Sequence, residues 1–289
     1  MKIAYLASQV TLPGSPNRRS DAFEHDYTLA ELRPAFTARG LDLVELSWDA
    51  EDVDWSRFSG ALVGTTWDYW DRQEEFIARL EEIERQIPLF NSAAQVSWNT
   101  HKGYLKDLEA RGARLIPTLW MDVVTEDSAE AAFDALGSDD LVFKRQVGAG
   151  ADGQHRLKRG DPIPGMPHPM MVQPYLAAIA EEGEISFVMV DGELSHALVK
   201  RPAKGDYRIQ SAYGGVETPL EPTAADLAAA KAVLAGLDAT PLYARVDMLR
   251  AEDGGLLLME LELIEPYLYP LQGEGLGARL AEALSKRLR

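Results

Sequence analysis

The stretch over residues 242–266, LYARVDMLRAEDGGLLLMELELIEP, limits how this chain can fold more than any other segment. Two apolar runs flank the pair Asp253-Gly254, which is typical of a tight turn, so the stretch predicts an antiparallel β-hairpin. If the turn centres on that pair, Asp247 lies opposite Glu260. Opposed residues, and residues two positions apart, share one face of a sheet, so Glu262 lies on the same face.

The same register divides the hairpin into a polar face and an apolar face. Arg245 lies opposite Glu262 on the polar face. The other face is expected to point towards the core. It carries Val246, Met248, Leu257, Met259, Leu261 and Leu263.

Three carboxylates on one strand face, those of Asp247, Glu260 and Glu262, need an explanation. Like charges opposed across strands destabilise a sheet unless a cation lies between them. A solvated polar face is the alternative, because polar and apolar residues ordinarily alternate on half-exposed strands. Oxygen ligands without His or Cys favour a hard cation such as Mg²⁺, which commonly joins carboxylates to nucleotide phosphates. The metal interpretation therefore requires a phosphate-binding segment elsewhere in the chain.

The composition narrows the class of protein. The chain has 289 residues, with 46 Asp and Glu against 29 Lys and Arg, and a net charge of −17. So acidic a chain repels nucleic acid and anionic membranes, and we expect neither as a partner. There is no cysteine, which excludes disulfides and thiol chemistry, and no apolar run approaches the roughly 20 residues of a membrane span. We expect a cytoplasmic protein of two or three packed subdomains.

The first 90 residues follow an alternating pattern of strands and helices. The segments KIAYLA, LDLVELSW and GALVGTT are short apolar runs, typical of buried strands. Residues 21–39 predict a helix, and Asp71 with Glu74 is typical of a capping box at the start of another. This order predicts a parallel-sheet α/β domain.

The pattern restarts after residue 90. Residues 100–111 predict a helix that stops at Gly112, and RLIPTLWM and LVFKRQV predict strands with a short Ala-rich helix between them. Residues 147–169 lack a helical period and contain many Gly and Pro residues, which is typical of a lid or a disordered loop. The segment MMVQPYL predicts a further strand.

The C-terminal part predicts a second hairpin and two helices. EISFVMVDGELSHALVK is typical of two strands that turn at Asp191-Gly192. Residues 203–215 form an irregular stretch, residues 223–236 predict a helix, and the last dozen residues predict another.

The candidate phosphate-binding segment is LVFKRQVGAGADG. Gly148, Gly150 and Gly153 match G-x-G-x-x-G after a strand, but the following QHRLKRGDPIPG cannot form the helix that a dinucleotide site requires. A Walker A loop is also excluded, because no Gly-Lys-Ser/Thr ends the segment. Two interpretations remain. The segment is either a flap whose backbone N–H groups approach phosphate beside Lys144, or a glycine-rich hairpin without a ligand.

Taken in order, several segments resemble those of ATP-grasp ligases. They are NTHKGYLKDLEARGARLIPT, the strand lysine Lys144 before the glycine-rich loop, QPYL, KRPAKGDYRIQSAYGG, and VDM followed by MELELIEP. The resemblance is to the glutathione synthetase branch, and within it to the small ligases that include the ring-closing enzyme of D-cycloserine biosynthesis. It covers most of the chain and is strongest over residues 97–266.

This resemblance implies an ATP-grasp fold of mixed α/β and α+β class, in three parts. Residues 1–92 would form an N-terminal α/β domain, residues 93–175 a central lid subdomain, and residues 176–289 a C-terminal subdomain built on an antiparallel sheet. ATP would lie between the last two parts.

The resemblance also implies roles for individual residues. Lys102 and Lys144 would contact the nucleotide phosphates, and Gly148, Gly150 and Gly153 would belong to the flexible loop above them. The other implied positions are Gln173, Tyr175 and Leu176 at adenine, Glu184 at ribose, Lys200 and Arg208 as catalytic residues at the transferred phosphate, and Asp247, Glu260 and Glu262 at magnesium.

The implied activity is ATP-dependent ligation of a small carboxylate to an amine. The carboxylate would attack the γ-phosphate of ATP to give an acyl phosphate and ADP, and the amine would then displace phosphate. ATP and Mg²⁺ are the implied cofactors, with Mn²⁺ as an alternative ion, and the relatives imply a homodimer or homotetramer. The alternatives are intramolecular cyclisation of the D-cycloserine-forming type, a nucleotide-binding regulatory protein without turnover and, more distantly, an NAD oxidoreductase.

The acceptor substrate is the least defined part of the prediction. Ser186 stands where glutathione synthetase has an arginine, and Tyr267 follows Glu-Pro where a small residue is common in related ligases. Trp67, Asp68 and Tyr69 follow the third predicted strand, and the carboxyl ends of parallel strands favour ligands. These three residues either line an acceptor pocket or pack between subdomains.

Overall fold

The computed structural model describes residues 1–148, 150, 152–203 and 214–289, and these residues form three β-sheets. The strands are β1 (Lys2–Ala7), β2 (Asp42–Ser47), β3 (Gly60–Val63), β4 (Leu89–Phe90), β5 (Leu119–Met121), β6 (Asp140–Arg145), β7 (His155–Lys158), β8 (Met170–Pro174), β9 (Glu184–Val190), β10 (Glu193–Arg201), β11 (Val216–Leu220), β12 (Tyr243–Arg250) and β13 (Leu256–Glu262). The helices are α1 (Phe23–Ala38), α2 (Gln73–Glu84), α3 (Ala93–Thr100), α4 (Tyr104–Ala110), α5 (Glu126–Leu136), α6 (Ala178–Glu181), α7 (Ala224–Ala235) and α8 (Leu276–Arg287). Within the described ranges, no helix combines the length and the apolar character needed to cross a bilayer.

The first sheet is parallel and has the order β2-β1-β3-β4. β1 is buried along nearly its whole length, as expected for a central parallel strand with packing on both faces. One of its faces packs against α2 through a cluster of large side chains that includes Trp48, Phe76, Leu80 and Ile83. The three strands and the parallel arrangement predicted for this part are confirmed.

Two helix starts in this region differ from the prediction. α2 begins at Gln73 and no side chain caps its first turn, so the predicted capping box of Asp71 and Glu74 is wrong. α3 is absent from the sequence prediction, which begins its helix at residue 100. The true capping box joins Ser92 and Gln95, and its Ser-x-x-Gln spacing is present in the sequence.

The central sheet is antiparallel and has the order β5-β8-β6-β7, with α5 packed against it. β5 is shorter than the predicted strand RLIPTLWM, because Pro117 has no N–H to donate to a strand ladder. β7 lies inside residues 147–169, which the sequence predicts as a loop, and it pairs with β6. A strand of four residues is too short to give a recognisable period.

The C-terminal sheet is antiparallel and has the order β11-β10-β9-β12-β13. Both predicted hairpins are present, because β9 pairs with β10 across Asp191-Gly192 and β12 pairs with β13 across Asp253-Gly254. α7 begins after Thr223, whose side chain accepts the Asp226 N–H. One parallel sheet with helices and two antiparallel sheets confirm the predicted mixed α/β and α+β class.

The register of the last hairpin is confirmed at one end and wrong at the other. Asp247 pairs with Glu260 as predicted, but beyond this pair a β-bulge shifts the register, so that Met248 pairs with Leu258. A shift of one residue moves side chains to the opposite face. Leu256 and Leu258 are therefore buried in the core, whereas the predicted core residues Leu257 and Met259 are only partly buried.

The three sheets share cores, so the domain boundaries stay a proposal. Tyr104, Leu105 and Leu108 of α4 pack among buried side chains of the C-terminal sheet, although the prediction assigns residues 93–175 to the central part. α8, at the C-terminal end, packs against α1 of the first part. We retain 1–92, 93–175 and 176–289 as the proposed division.

Two buried asparagines fasten the last hairpin to the segment around α3. Asn91 Nδ2 donates to the carbonyl oxygens of Tyr243 and Leu263, each at 2.9 Å. Asn99 Nδ2 donates to the Leu261 carbonyl at 2.9 Å, and its Oδ1 accepts the Leu263 N–H at 2.8 Å. These bonds fix the end of β13 and the residues that follow it.

We expect stability to fall as the pH decreases from 6.5 towards 4, because His25 is buried. Its ring lies 2.6 Å from Thr65 Oγ1 and 3.0 Å from Glu45 Oε2, and burial lowers its pKa to about 4. In the unfolded chain the pKa of histidine is about 6.5, so between pH 6.5 and 4 the unfolded chain binds a proton that the folded protein excludes. This difference lowers the free energy of unfolding by about 3 kcal/mol at the lower pH. Denaturant unfolding at several pH values measures this slope. His25→Gln should flatten it, exposed His168→Gln should not, and an unchanged slope in His25→Gln would contradict the expectation.

Candidate functional site

A cavity of about 630 Å³ lies between the three sheets. Most residues that the sequence assigned to a site line it. They are Lys102, Lys144, Gly148, Gly150, Gln173, Tyr175, Leu176, Glu184, Lys200, Asp247, Glu260 and Glu262, together with Trp67 and Tyr69.

The two lysines predicted to contact nucleotide phosphates face this cavity. Lys102, between α3 and α4, donates from Nζ to Glu260 Oε1 at 2.5 Å and to the Gly148 carbonyl at 3.2 Å. Lys144 lies on β6 and forms no ion pair with another described residue, while burial lowers its pKa. An enclosed amine without a carboxylate partner is suited to bind an anion such as phosphate.

The glycine-rich segment contributes backbone to the cavity. Gly148 and Gly150 line it, and their φ values of 148° and 64° are ones that residues with a side chain rarely adopt. Gly153, with φ of 63°, is not part of the lining. A Cβ at Gly153 would lie 2.9 Å from Arg145 Cδ, so this glycine permits close packing inside the segment.

The predicted adenine-binding residues lie at the end of β8. Gln173 is buried and its Nε2 donates to Thr118 Oγ1 at 2.9 Å, while the Tyr175 N–H donates to the Asp140 carbonyl at 2.8 Å. Leu176 follows them along the wall. Apolar side chains that the prediction did not include continue this wall, namely Ile116, Val142, Leu249 and Met259. A mostly apolar wall with a few polar edges suits a planar base. Met259 reaches it because of the β-bulge.

Glu184, predicted to bind ribose, begins β9 and is fully buried. Its Oε1 forms an ion pair with the Lys200 ammonium, and no described residue donates a hydrogen bond to its Oε2. Burial raises the pKa of Glu184 to about 7, against the attraction of Lys200. An acceptor oxygen left without a donor at a cavity wall is suited to a hydroxyl donor.

Asp247 is enclosed by positive and polar groups of the C-terminal sheet. Arg245 Nη2 lies 2.9 Å from its Oδ2, and Lys200 Nζ lies 3.3 Å from its Oδ1. Ser186 Oγ donates to the same Oδ1 at 2.5 Å. Burial disfavours the Asp247 charge, but Arg245 and Lys200 outweigh burial and lower its pKa to about 2. Asp247 is therefore ionised at neutral pH.

Glu260 and Glu262 also have cationic partners, and their side chains are 29% and 26% exposed to solvent. Glu260 pairs with Lys102, and Glu262 pairs with Arg245, the residue predicted to lie opposite it. Burial raises the pKa of Glu262 to about 7 in spite of Arg245. The cations explain how an apolar strand accommodates these carboxylates.

The donor chemistry of the hairpin fits magnesium, because Asp247, Glu260 and Glu262 offer only oxygen ligands. In the present arrangement, no three acidic or histidine side chains of the described residues surround a common point as metal ligands do. Lys102 stands beside Glu260, and metal binding there requires this ion pair to open. The three carboxylates therefore stay a proposed metal set.

Of the two predicted catalytic residues, Lys200 lines the cavity and Arg208 lies outside the described residues. Burial disfavours the Lys200 charge, but Asp247 and Glu184 raise its pKa. Arg245, which the prediction paired with Glu262 without assigning it a function, lines the same wall. The sequence could have indicated this role for Arg245, because it is a charged residue in an otherwise apolar strand.

The loop after β3 brings two of its three predicted substrate residues to the cavity. Trp67 and Tyr69 line it, and Trp67 Nε1 donates to the Glu265 carbonyl at 3.1 Å. Asp68 is not part of the lining. It accepts the Trp48 Nε1–H at 2.8 Å and pairs with an arginine of the same loop, so it holds the loop in place.

Three residues after β13 complete this side of the cavity, although the prediction assigned none of them to a site. Glu265, Tyr267 and Tyr269 all line it, and the two tyrosine rings lie 4.7 Å apart. Arg19, from the segment before α1, lines it too, bound to Asp21 at 2.7 Å. The sequence could have indicated Glu265, because it is the third carboxylate of the apolar segment MELELIEP. No feature of the sequence indicated Arg19.

Comparison with known proteins supports the predicted resemblance. A family model that describes the N-terminal domain of D-cycloserine synthetase DcsG matches residues 3–91. The cycloserine biosynthesis protein DcsG of Streptomyces lavendulae is 30% identical over 285 residues, which cover 91% of this chain and 95% of that protein. The crystal structure of D-cycloserine synthetase DcsG has a TM-score of 0.84 at 26% identity, with 100% of both chains covered.

Two further solved structures share the fold at lower identity. A D-alanine-D-alanine ligase from Bacillus anthracis complexed with ATP has a TM-score of 0.66 at 17% identity, over 100% of this chain and 97% of that one. The ATP-grasp ligase PsnB, complexed with a phosphomimetic variant of its minimal precursor, Mg and ADP, has a TM-score of 0.66 at 14% identity, over 99% and 98%. The predicted resemblance is confirmed, and the chain is an enzyme that belongs to the DcsG family of ATP-grasp ligases.

Proposed function

We propose that this enzyme forms an amide bond between a carboxylate and an amine through an acyl phosphate, and releases ADP and inorganic phosphate. The observation that carries the proposal is the convergence of Lys102, Lys144, Lys200 and Arg245 on one cavity. Positive groups in fixed positions offset the charge that develops on a phosphoryl group during transfer. Family membership supports an ATP-dependent ligase or cyclase activity.

Different lining residues would act in the two steps of the reaction. Lys102 and Lys144 would bind the nucleotide phosphates, and the segment from Gln173 to Leu176 would receive adenine. A carboxylate oxygen then attacks the γ-phosphorus and ADP leaves. Lys200 and Arg245 would hold the acyl phosphate and the oxyanion formed when the amine attacks. Arg208, predicted for the same task, lies outside the described residues.

The proposed cofactors are ATP and Mg²⁺, with Mn²⁺ as an alternative ion. Solved structures with this fold contain ATP, or Mg and ADP. Asp247, Glu260 and Glu262 would hold the metal. Bound Mg²⁺ would neutralise phosphate charge and orient the γ-phosphoryl group. The substrates are proposed to be small molecules, and a homodimer or homotetramer stays a prediction.

Intramolecular cyclisation is the second candidate, and the similarity to DcsG over 91% of the chain favours it. Ring closure shares the first step with ligation, because both begin by activating a carboxylate. The two differ only in whether the amine belongs to the same molecule. Mass spectrometry separates them, since a cyclised product is one substrate minus water and a ligated product is two substrates minus water.

The nucleotide product is expected to be ADP with inorganic phosphate. The described lysines and the proposed metal set line one cavity, where they would stabilise transfer of the terminal phosphoryl group. The test is to incubate the protein with ATP, Mg²⁺ and pools of small acids and amines, and to separate the nucleotides by chromatography. Hydroxylamine added with an active acid should trap the acyl phosphate as a hydroxamate. Formation of AMP in step with product would show an adenylating enzyme and contradict the proposal.

A further inference from the structure

Glu265 places in the cavity a carboxyl group that forms no ion pair with a lysine or arginine of the described residues. It lies three residues beyond β13 and lines the cavity. No lysine or arginine in the described ranges forms an ion pair with it, whereas Glu260 pairs with Lys102 and Asp247 pairs with Lys200. Its side chain is thus available to a ligand.

The backbone at Glu265 is held rigidly from the N-terminal part of the chain. Trp67 Nε1 donates to its carbonyl oxygen at 3.1 Å, and Pro266 restricts the next peptide. The Tyr243 hydroxyl lies 3.0 Å from the preceding carbonyl oxygen, that of Ile264, and 2.5 Å from the Val63 carbonyl oxygen, and it donates to one of the two. A side chain on so constrained a backbone is well placed to position a reacting group.

The surroundings of Glu265 suit a positively charged or amine-bearing ligand. Tyr69 and Tyr267 line the same side of the cavity as Glu265, and aromatic faces attract cations. The Trp67 ring beside them already has the Arg19 guanidinium 5.8 Å from its centroid. Burial raises the pKa of Glu265 well above its usual value, and the negative charge of Glu262 raises it further. A carboxylate in such a place gains from a neighbouring ammonium and readily accepts its proton.

We propose that Glu265 binds the amino group of the substrate and accepts its proton during amide formation, an inference that rests on the proposed function. An amine is largely protonated near neutral pH, so its attack requires a proton acceptor. The nitrogen lone pair forms the C–N bond, and the C–O bond to phosphate breaks with its electron pair leaving on phosphate. The ammonium nitrogen gives up two protons: the one lost before attack, which frees the lone pair, moves to the Glu265 carboxylate, and the one lost after the C–N bond forms leaves on the phosphate.

The position of Glu265 agrees with this role. The charges that act on it include those of Glu262 and Lys102. Glu265 lines the same cavity as Lys200 and Arg245, the residues proposed to hold the acyl phosphate, so an amine held by Glu265 lies in the cavity where the acyl phosphate forms. The N-terminal part of the chain then contributes to the amine site through Trp67 rather than through Asp68.

The experiment compares the wild-type protein with Glu265→Gln and Glu265→Asp, and uses exposed Glu221→Gln as the matched control. A mixture of the common amino acids in their L and D forms supplies both carboxylates and amines. Hydroxylamine serves as a nucleophile that is mostly neutral near pH 7. Hydroxamate formation reports the acyl phosphate, and mass spectrometry measures the amide product.

Glu265→Gln should form hydroxamate near the wild-type rate and lose amide formation by about a hundredfold or more, because only the amine needs a proton acceptor. Glu265→Asp should retain part of the amide activity, and Glu221→Gln all of it. Hydroxamate formation itself shows that the variant is folded. Three results would overturn the inference: wild-type amide rates in Glu265→Gln, parallel loss of hydroxamate and amide, or a wild-type protein that makes hydroxamate but no amide. A wild-type protein that releases no ADP even with hydroxylamine would refute the proposed function instead.

Discussion

Glu260→Gln or Glu262→Gln is expected to abolish magnesium-dependent ADP release while the protein stays folded. Glutamine keeps an oxygen that can accept from Lys102 or Arg245, so the contacts that hold each side chain are retained in neutral form. The negative charge that a divalent cation requires is lost. A loss of about a hundredfold to a thousandfold is the expected scale, because stabilisation of the transferring phosphoryl group depends on it.

The measurement is the initial rate of ADP release as a function of Mg²⁺ concentration, with circular dichroism to monitor the fold. Glu252→Gln is the control, because Glu252 lies exposed at the turn of the same hairpin. Excess Mg²⁺ should restore part of the activity if metal affinity is the property that was changed. Wild-type rates in both variants would refute the assignment of the metal set to Glu260 and Glu262.

Lys144→Ala is expected to weaken ATP binding or phosphoryl transfer by about tenfold to a hundredfold. Removing one charge-assisted contact to a phosphate costs about 1.5 to 3 kcal/mol. The fold should tolerate the change, since Lys144 forms no ion pair with another described residue and burial disfavours its charge. Because the substitution removes the unfavourable burial of a charge, we expect the variant to be at least as stable as the wild type.

ATP affinity from calorimetry and the rate of ADP release together test this expectation. Lys144→Arg keeps the charge and should retain part of the activity. Lys158→Ala is the matched control, because Lys158 lies exposed on the neighbouring strand β7 and outside the cavity. If Lys144→Ala keeps both wild-type affinity and wild-type rate, the lysine does not contact the nucleotide.

The sequence by itself determined the elements whose signals are local. The turn pair Asp253-Gly254 and the apolar runs beside it are enough to place Asp247 opposite Glu260, and the structure has this pair. The parallel first part, both hairpins and the family followed from alternation and from ordered motifs. The strand lysine Lys144 and the glycines after it were recognised for the same reason, since each motif lies within about a dozen residues.

Only the tertiary structure decided how those pieces meet. It introduced the bulge that turns Met259 from the core to the cavity, and it showed that cations of the chain stand beside the carboxylates. It also placed Glu265, and not Asp68, on the cavity wall together with Trp67 and Tyr69. Lys102 bonds Glu260 across 158 positions, and Trp67 bonds Glu265 across 198. No local period or spacing encodes such pairs, because they arise only when separate sheets pack against one another.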